Sequence, residues 1–148
     1  MKKMLIMFSF MLFSLLSYAP NYPVAYIAQP QPIQKVTSSY NFEVSKCLKT
    51  LSLNILTPLI ERFKAPVHVT SDYRSVAHNK AIRGAINSKH TYGEAVDISS
   101  RKGDAITKKE IFDYIKDNLE FDQLIWERDH VHVSFTSKYP NRNQVLIL

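Results

Sequence analysis

Three side chains in the second half of the chain are of the kinds that bind a transition metal: His90, Asp97 and His132. A catalytic zinc ion needs three protein ligands of the His, Asp, Glu or Cys type and leaves one position open for water. His90 and Asp97 stand on either side of a glycine-containing turn and the start of a strand pattern, while His132 lies in another strand pattern. Because two strands of one sheet can bring such groups together, the sequence predicts a metal site here.

The last strand pattern also supplies groups that can move a proton. Asp129 lies three residues before His132, in the tight connection before the last strand pattern, and Glu127 ends the strand pattern that precedes this connection. A carboxylate beside a catalytic zinc can take a proton from the attacking water. His130 and His132 are two positions apart, so both point to the same side of a strand and either can reach a metal. Asp129 and Glu127 are therefore both candidates for the base.

A long motif surrounds the first two ligands. Residues 88–97 read S-K-H-T-Y-G-E-A-V-D and fit the pattern S-x-H-x-x-G-x-A-x-D. This pattern resembles that of the zinc D-Ala-D-Ala carboxypeptidases and dipeptidases, a family that also includes phage L-alanyl-D-glutamate endopeptidases. Residues 71–75, S-D-Y-R-S, are similar to the family's S-x-Y-R-S. The resemblance continues through residues 121–127 and 131–134, and so covers nearly everything from residue 41 to residue 135.

The resemblance implies specific roles for five residues. One zinc ion per chain is held by His90, Asp97 and His132. Asp129 is the general base, in an acid-x-x-His arrangement, and Arg74 contacts the substrate or the oxyanion. A planar guanidinium suits either a terminal carboxylate or a developing oxyanion.

The implied function is hydrolysis of peptide bonds in peptidoglycan stem peptides, of the D-Ala-D-Ala carboxypeptidase or the L-Ala-D-Glu endopeptidase type. This hydrolysis would serve cell-wall remodelling by a bacterium or lysis by a phage. The alternative is a non-catalytic zinc-containing binding module of the same fold, as in Hedgehog-type signalling domains. The presence of both Asp129 and Arg74 argues against it, because a structural zinc needs neither a base nor an oxyanion contact. The sequence departs from the family at His130, where Trp is common.

The composition is that of one globular domain. The chain has 148 residues, of which 45% are hydrophobic and 22% are charged, and such a chain forms a real core. The formal charge of +6 comes from Lys and Arg that are dispersed along the chain. Without a basic run interleaved with aromatics, a solvated surface is favoured over a nucleic-acid partner. Cys47 is the only cysteine, so no internal disulfide is expected, and we expect a monomer.

The N-terminal part is predicted to be a signal followed by a linker. Residues 1–19 have two lysines, an almost uncharged run and then small residues, which is the layout of an export signal. The predicted location is therefore periplasmic, cell-wall or extracellular. A membrane anchor through residues 4–18 is the alternative, because Pro20 disfavours cleavage after Ala19. Residues 20–40 contain four prolines and three glutamines, which is typical of an extended linker.

The remaining patterns predict an α+β fold with a small, mainly antiparallel sheet, resembling the Hedgehog/DD-peptidase fold. Apolar residues at three- and four-residue steps predict a helix over residues 42–63, kinked or divided at Pro58. A further helix begins at the capping-box pair Thr107 and Glu110. The peptidase domain is assigned to residues 41–137, and residues 138–148 are a C-terminal tail. The other predicted elements are a short helix at 75–83 and strands at 67–71, 94–99, 121–127 and 130–136.

Overall fold

The computed structural model describes residues 41–148. The predicted export signal and linker lie outside the described residues. Within residues 41–148, no helix combines the length and the apolar character that crossing a bilayer requires.

The described chain begins with a helical arm in three joined parts: α1 (Asn41–Leu51), a π-helical turn (Ser52–Leu56) and α2 (Thr57–Phe63). Pro58 lies in the first turn of α2 and has no N–H to donate to the carbonyls of the helical turn before it. The turn before it is closed by a bond from the Thr57 N–H to the Ser52 carbonyl, which is the wider spacing of a π-helix. The disturbance that the sequence predicts at Pro58 therefore takes the form of a π-helical turn within the arm.

The rest of the chain alternates short helices and strands. Thr107 and Glu110 form the predicted capping box, in which each side chain bonds to the backbone N–H of the other residue. The elements that follow the arm are β1 (His68–Ser71), α3 (Val76–Ala81), a 3₁₀ turn (Lys89–Tyr92), β2 (Ala95–Ser99), α4 (Lys108–Asn118), β3 (Gln123–Trp126), β4 (Val131–Ser134) and β5 (Gln144–Ile147).

The five strands form one sheet in the order β1-β2-β4-β3-β5. Every neighbouring pair is antiparallel except β3 and β5, which are parallel. The predicted α+β class with a small, mainly antiparallel sheet is confirmed. The centre of the sheet is the pair β2 and β4, which carries two of the three predicted metal ligands.

Strand β5 is an element that the sequence analysis does not predict. It follows a polar, proline-containing stretch and pairs in parallel with β3. Parallel strands are not joined by a tight hairpin turn, so the sequence has no local turn pattern that predicts β5. Arg142 holds the buried Asp122 carboxylate with two bonds of 2.7 and 2.9 Å. The N–H groups of Asn143 and Gln144 donate to the carbonyls of Phe121 and Asp122, just before β3. Hydrogen bonds to a segment that is distant in the sequence therefore hold this strand in the sheet.

The core lies between the helices and one face of the sheet. Val96 and Ile98 of β2 and Val131 and Val133 of β4 are at most 2% exposed and belong to this cluster. Because side chains alternate along a strand, the residues between them point to the opposite face. Those residues are Asp97 and His132. The helical arm and α4 complete the core with Leu51, Ile55, Leu59, Ile111 and Ile115.

Candidate metal centre

His90 is positioned by the 3₁₀ turn before β2. The turn ends at Gly93, which has a φ of +70° and donates its N–H to the His90 carbonyl. A Cβ at Gly93 would lie 2.9 Å from Val44 Cγ1 and 2.9 Å from the Val44 carbonyl oxygen. Gly93 thus allows both the left-handed turn and the close approach of α1, so the glycine of the motif has a direct physical reason.

Asp97 and His132 are brought together by strand register. They are directly opposed Cα partners in the antiparallel pair β2 and β4. On the other side of β2, Asp97 is opposed by Ser71, after a register irregularity in β1 between Val69 and Ser71. Residues that face each other in this way have neighbouring side chains on the same side of the sheet. A bulge in β1 therefore adds Ser71 to the row that contains both ligands.

The three predicted ligands meet at one point. His90 Nε2 lies 3.1 Å from Asp97 Oδ1 and 3.1 Å from His132 Nδ1, and His132 Nδ1 lies 2.9 Å from Asp97 Oδ1. A tetrahedral zinc ion with ligands at about 2.0–2.1 Å separates its ligand atoms by about 3.3 Å. We refer to these residues as the metal cluster. The donor set and its spacing fit a catalytic zinc ion.

A backbone bond sets the orientation of the His90 ring. His90 Nδ1 lies 2.5 Å from the Asp72 carbonyl oxygen, which can only accept. Nδ1 therefore carries a proton, and in the neutral ring the Nε2 lone pair points at the other two ligands. Such outer bonds are the usual way in which proteins orient metal-binding histidines.

Arg74 contacts the metal cluster on the Oδ2 side of Asp97. Its Nη2 pairs with Asp97 Oδ2, and its Nε donates to Ser71 Oγ at 2.9 Å. Its backbone N–H donates to the His90 carbonyl at 3.1 Å. The guanidinium thus occupies the Asp97 oxygen that faces away from both histidines, and it leaves Oδ1 toward them. Arg74 thus lies beside the metal cluster and bonds to Asp97 and Ser71, while its contact with substrate or oxyanion stays a prediction.

The Asp97 carboxylate is strongly held in its ionised form. Burial raises its pKa, but the His132 and His90 imidazoles beside it lower it by more, so the pKa lies well below the ordinary value. The side chain is only 3% exposed. An ionised, buried carboxylate with two imidazoles beside it is a ready ligand for a divalent cation.

The two candidate bases have different surroundings. The Asp129 carboxylate pairs with Arg128 and is 73% exposed, and it is not a member of the metal cluster. Glu127 is 36% exposed, and its Oε2 lies 3.5 Å from His130 Nε2. His130 Nε2 in turn lies 3.6 Å from Asp97 Oδ1. Among the five histidines of the chain, His90 and His132 have a ring nitrogen within 3.1 Å of Asp97, and His130 comes next to them.

Glu94 is a further buried carboxylate near the site that the sequence analysis does not single out. It accepts from Lys89 Nζ at 2.8 Å, from Lys138 Nζ at 2.9 Å and from Thr136 Oγ1 at 3.2 Å. Burial raises its pKa, but the bonds from Lys89 and Lys138 lower it by more. Lys89 precedes His90, so the bonds of Glu94 connect the 3₁₀ turn to the segment after β4. The sequence feature that could have identified Glu94 is an acidic residue at the start of an otherwise apolar strand pattern.

Comparison with protein families agrees with this geometry. A family model described as Peptidase M15 matches residues 30–134. That stretch contains the metal cluster, Arg74 and both candidate bases. No curated protein matches the chain. Since the match spans well over half of the sequence, the chain belongs to the Peptidase M15 family, whose members are zinc peptidases that act on peptidoglycan.

Proposed function

We propose that this protein hydrolyses peptide bonds in peptidoglycan stem peptides, with one zinc ion held by His90, Asp97 and His132. The observation that carries the proposal is the metal cluster itself, in which three ligand atoms lie 2.9–3.1 Å apart. Three protein ligands with space for a fourth are typical of a catalytic zinc rather than a structural one. The bond is of the D-Ala-D-Ala carboxypeptidase or the L-Ala-D-Glu endopeptidase type, in cell-wall remodelling or phage lysis.

Each part of the site has a definite task in this reaction. A zinc ion held by His90, Asp97 and His132 would act as a Lewis acid, which would polarise the scissile carbonyl and make water acidic enough to react at neutral pH. Arg74 pairs with Asp97 Oδ2 and so holds the carboxylate with Oδ1 toward the two histidines. A carboxylate in the connection between β3 and β4 accepts the proton that the attacking water loses. The same group can return that proton to the amine that leaves.

The first test is hydrolysis of purified muropeptides, with the products weighed by mass spectrometry. We expect cleavage that a strong chelator abolishes and that added zinc restores. Release of terminal D-Ala identifies a carboxypeptidase, and a cut between L-Ala and D-Glu identifies an endopeptidase. A protein that binds zinc and muropeptides but never cleaves them would instead be the non-catalytic module of the same fold.

We also propose that the protein acts as a monomer outside the cytoplasm. The support for export is the lysine-led apolar pattern of residues 1–19, which lie outside the described residues. Fractionation of the native host should find the protein in the periplasm, the cell wall or the medium, or bound to the membrane if the signal is uncleaved. Recovery of the intact chain in the cytosol would contradict this part of the proposal.

A further inference from the structure

The 3₁₀ turn that carries His90 is connected to the rest of the protein through Glu94. The Glu94 N–H donates to the Lys89 carbonyl, at the start of the turn, at 3.0 Å, and the Glu94 carbonyl accepts from the Phe135 N–H at 3.0 Å. His90 is the ligand of the metal cluster that lies outside the strands, so strand register does not fix it. Its position depends instead on where the turn and Glu94 are held.

The two oxygens of the Glu94 carboxylate bind two different segments. Oε2 accepts from Lys89 Nζ at 2.8 Å, in the turn itself. Oε1 accepts from Lys138 Nζ at 2.9 Å and from Thr136 Oγ1 at 3.2 Å, in the segment after β4. The Glu94 side chain is only 4% exposed, and a buried charge depends on such partners because it has lost its contact with water.

The segment after β4 is itself held by hydrogen bonds. The Thr136 N–H donates to Asn141 Oδ1 at 3.0 Å, and Asn141 Nδ2 donates to the Thr136 carbonyl at 3.1 Å. The Lys138 N–H donates to Thr136 Oγ1 at 3.2 Å. Lys138 therefore extends toward Glu94 from a loop whose backbone is fixed.

A second contact joins the same segment to the turn. Lys89 Nζ bonds to the Tyr139 hydroxyl and lies 4.7 Å from the centre of the Tyr139 ring. The two charged residues on either side of His90, Lys89 and Glu94, are thus both bound by residues 136–139.

These contacts belong to this chain rather than to the motif. Lys89 and Glu94 occupy two positions that the pattern S-x-H-x-x-G-x-A-x-D leaves open. Lys138 lies beyond residue 134, where the family match ends. Membership of the family therefore gives Lys138 no role.

On the basis of the zinc site in the proposed function, we propose that Lys138 is a positioning residue for the metal cluster. Through Glu94 it holds the turn that carries His90, and so it tightens the binding of zinc. Removal of one partner of a buried charge is costly, and without Lys138 the turn can reduce that cost by moving Glu94 toward water. Such a movement takes His90 away from Asp97 and His132.

The test compares Lys138→Met, which removes the charge, with Lys138→Arg, which keeps it. Chelator competition gives the zinc affinity, the visible absorption of the cobalt-substituted protein reports the geometry at the metal, and the melting temperature is measured without metal. We expect Lys138→Met to weaken zinc binding about tenfold, the lower end of the effect of outer partners of a ligand, and to change the cobalt spectrum. Lys138→Arg can still bond to a carboxylate and should stay within about threefold of the wild type, with a similar spectrum.

Lys116→Met is the matched control. Lys116 is a part-exposed lysine that pairs with Asp113 and Asp117 on α4, and its zinc affinity should stay within about twofold because such surface pairs contribute little. Thr136→Val removes the other bond to Glu94 Oε1 with little change in shape. It should weaken zinc binding in the same direction as Lys138→Met, and it tests the same route if Lys138→Met does not fold.

Wild-type zinc affinity and cobalt spectrum in Lys138→Met, with a lower melting temperature, would overturn the proposal, because the bonds of Glu94 would then serve stability alone. Equal weakening in Lys138→Met and Lys138→Arg would overturn it too, since the charge would not be the cause. Zinc binding in the double variant of Glu94→Gln and Lys138→Met should be no weaker than in Glu94→Gln. Full addition of the two losses would show that Lys138 does not act through Glu94.

These measurements use the metal alone and need no substrate. If the wild type binds zinc but never cleaves muropeptides, the proposed function fails, while the zinc affinities of the variants still decide the role of Lys138. If the wild type binds no zinc, both proposals fail.

Discussion

The two faces of strands β2 and β4 differ in what holds them in place. On one face, Val96, Ile98, Val131 and Val133 pack in the apolar core. On the other face, Asp97 and His132 meet His90 through ring nitrogens and one carboxylate oxygen. The apolar face depends on buried area and on close packing, which have no preferred direction. The polar face depends on a few contacts with defined directions, so the loss of one donor or acceptor atom should disrupt it.

Because the two faces are held by different interactions, stability and function can be changed separately in one pair of strands. Neighbouring residues such as Asp97 and Ile98 belong to different systems although they are joined by one peptide bond. A substitution on the core face should lower the free energy of unfolding and leave the metal site intact. A substitution on the site face should impair the metal site and leave the free energy of unfolding nearly unchanged. The following predictions test that separation, beginning with the largest expected effect.

His132→Ala should remove zinc and hydrolysis together. The metal contributes several kcal/mol of transition-state stabilisation, so we expect a loss of activity of about a thousandfold or more. His78 is exposed on α3, and His78→Ala is the matched control with normal zinc content. Metal analysis and muropeptide hydrolysis check both variants. Full zinc occupancy in a folded His132→Ala protein would remove His132 from the ligand set.

Ile98→Ala should destabilise the fold without affecting the chemistry. Ile98 is fully buried, and loss of such a side chain costs about 2–5 kcal/mol in the free energy of unfolding. Ile147 is 76% exposed on β5, so Ile147→Ala should change that free energy by less than about 0.5 kcal/mol. Denaturant unfolding measures both. Loss of zinc from folded Ile98→Ala would show that the two faces are coupled.

Arg74→Lys should weaken zinc binding by about tenfold to a hundredfold, the usual effect of losing a partner of a ligand. A lysine has the charge but not the planar group that contacts both Asp97 and Ser71. Arg128 is 91% exposed, so Arg128→Lys is the control. Chelator competition gives the zinc affinity, and kinetics give KM. A raised KM with unchanged zinc affinity would favour the direct substrate contact that the resemblance implies.

Glu94→Gln should lower the free energy of unfolding by about 1–3 kcal/mol near neutral pH, because the buried carboxylate loses its charge-assisted bonds with Lys89 and Lys138. The pKa of Glu94 is lowered in the folded protein from 4.5. Its stabilisation is therefore fully present above that value and is lost as the pH falls through the folded-state pKa. Denaturant unfolding at several pH values should show the difference from the wild type shrinking in acid. Glu61→Gln on the exposed side of α2 is the control, and a difference independent of pH would contradict this explanation.

Much of the fold follows from local patterns. The capping box at Thr107 and Glu110 satisfies N–H groups within one turn, so it can be recognised without knowledge of the rest of the chain. The helical arm has its apolar stripe at helical spacing, and Pro58 indicates where the ladder must change. Strand β5 could not be predicted in this way. It depends on a parallel partner and on the Asp122–Arg142 pair, whose members are separated by 20 residues.

The donor set of the metal cluster follows from the sequence. His90 and Asp97 are joined by a short turn whose glycine, small residues and spacing carry the family motif, and the resemblance selects His132. Tertiary structure decided what surrounds that set. Arg74 lies against Asp97 because a bulge in β1 aligns Ser71 with β2, and Glu127 approaches His130 because the hairpin turns there. Contacts between distant segments depend on strand register and turn geometry, and residue types alone do not specify either.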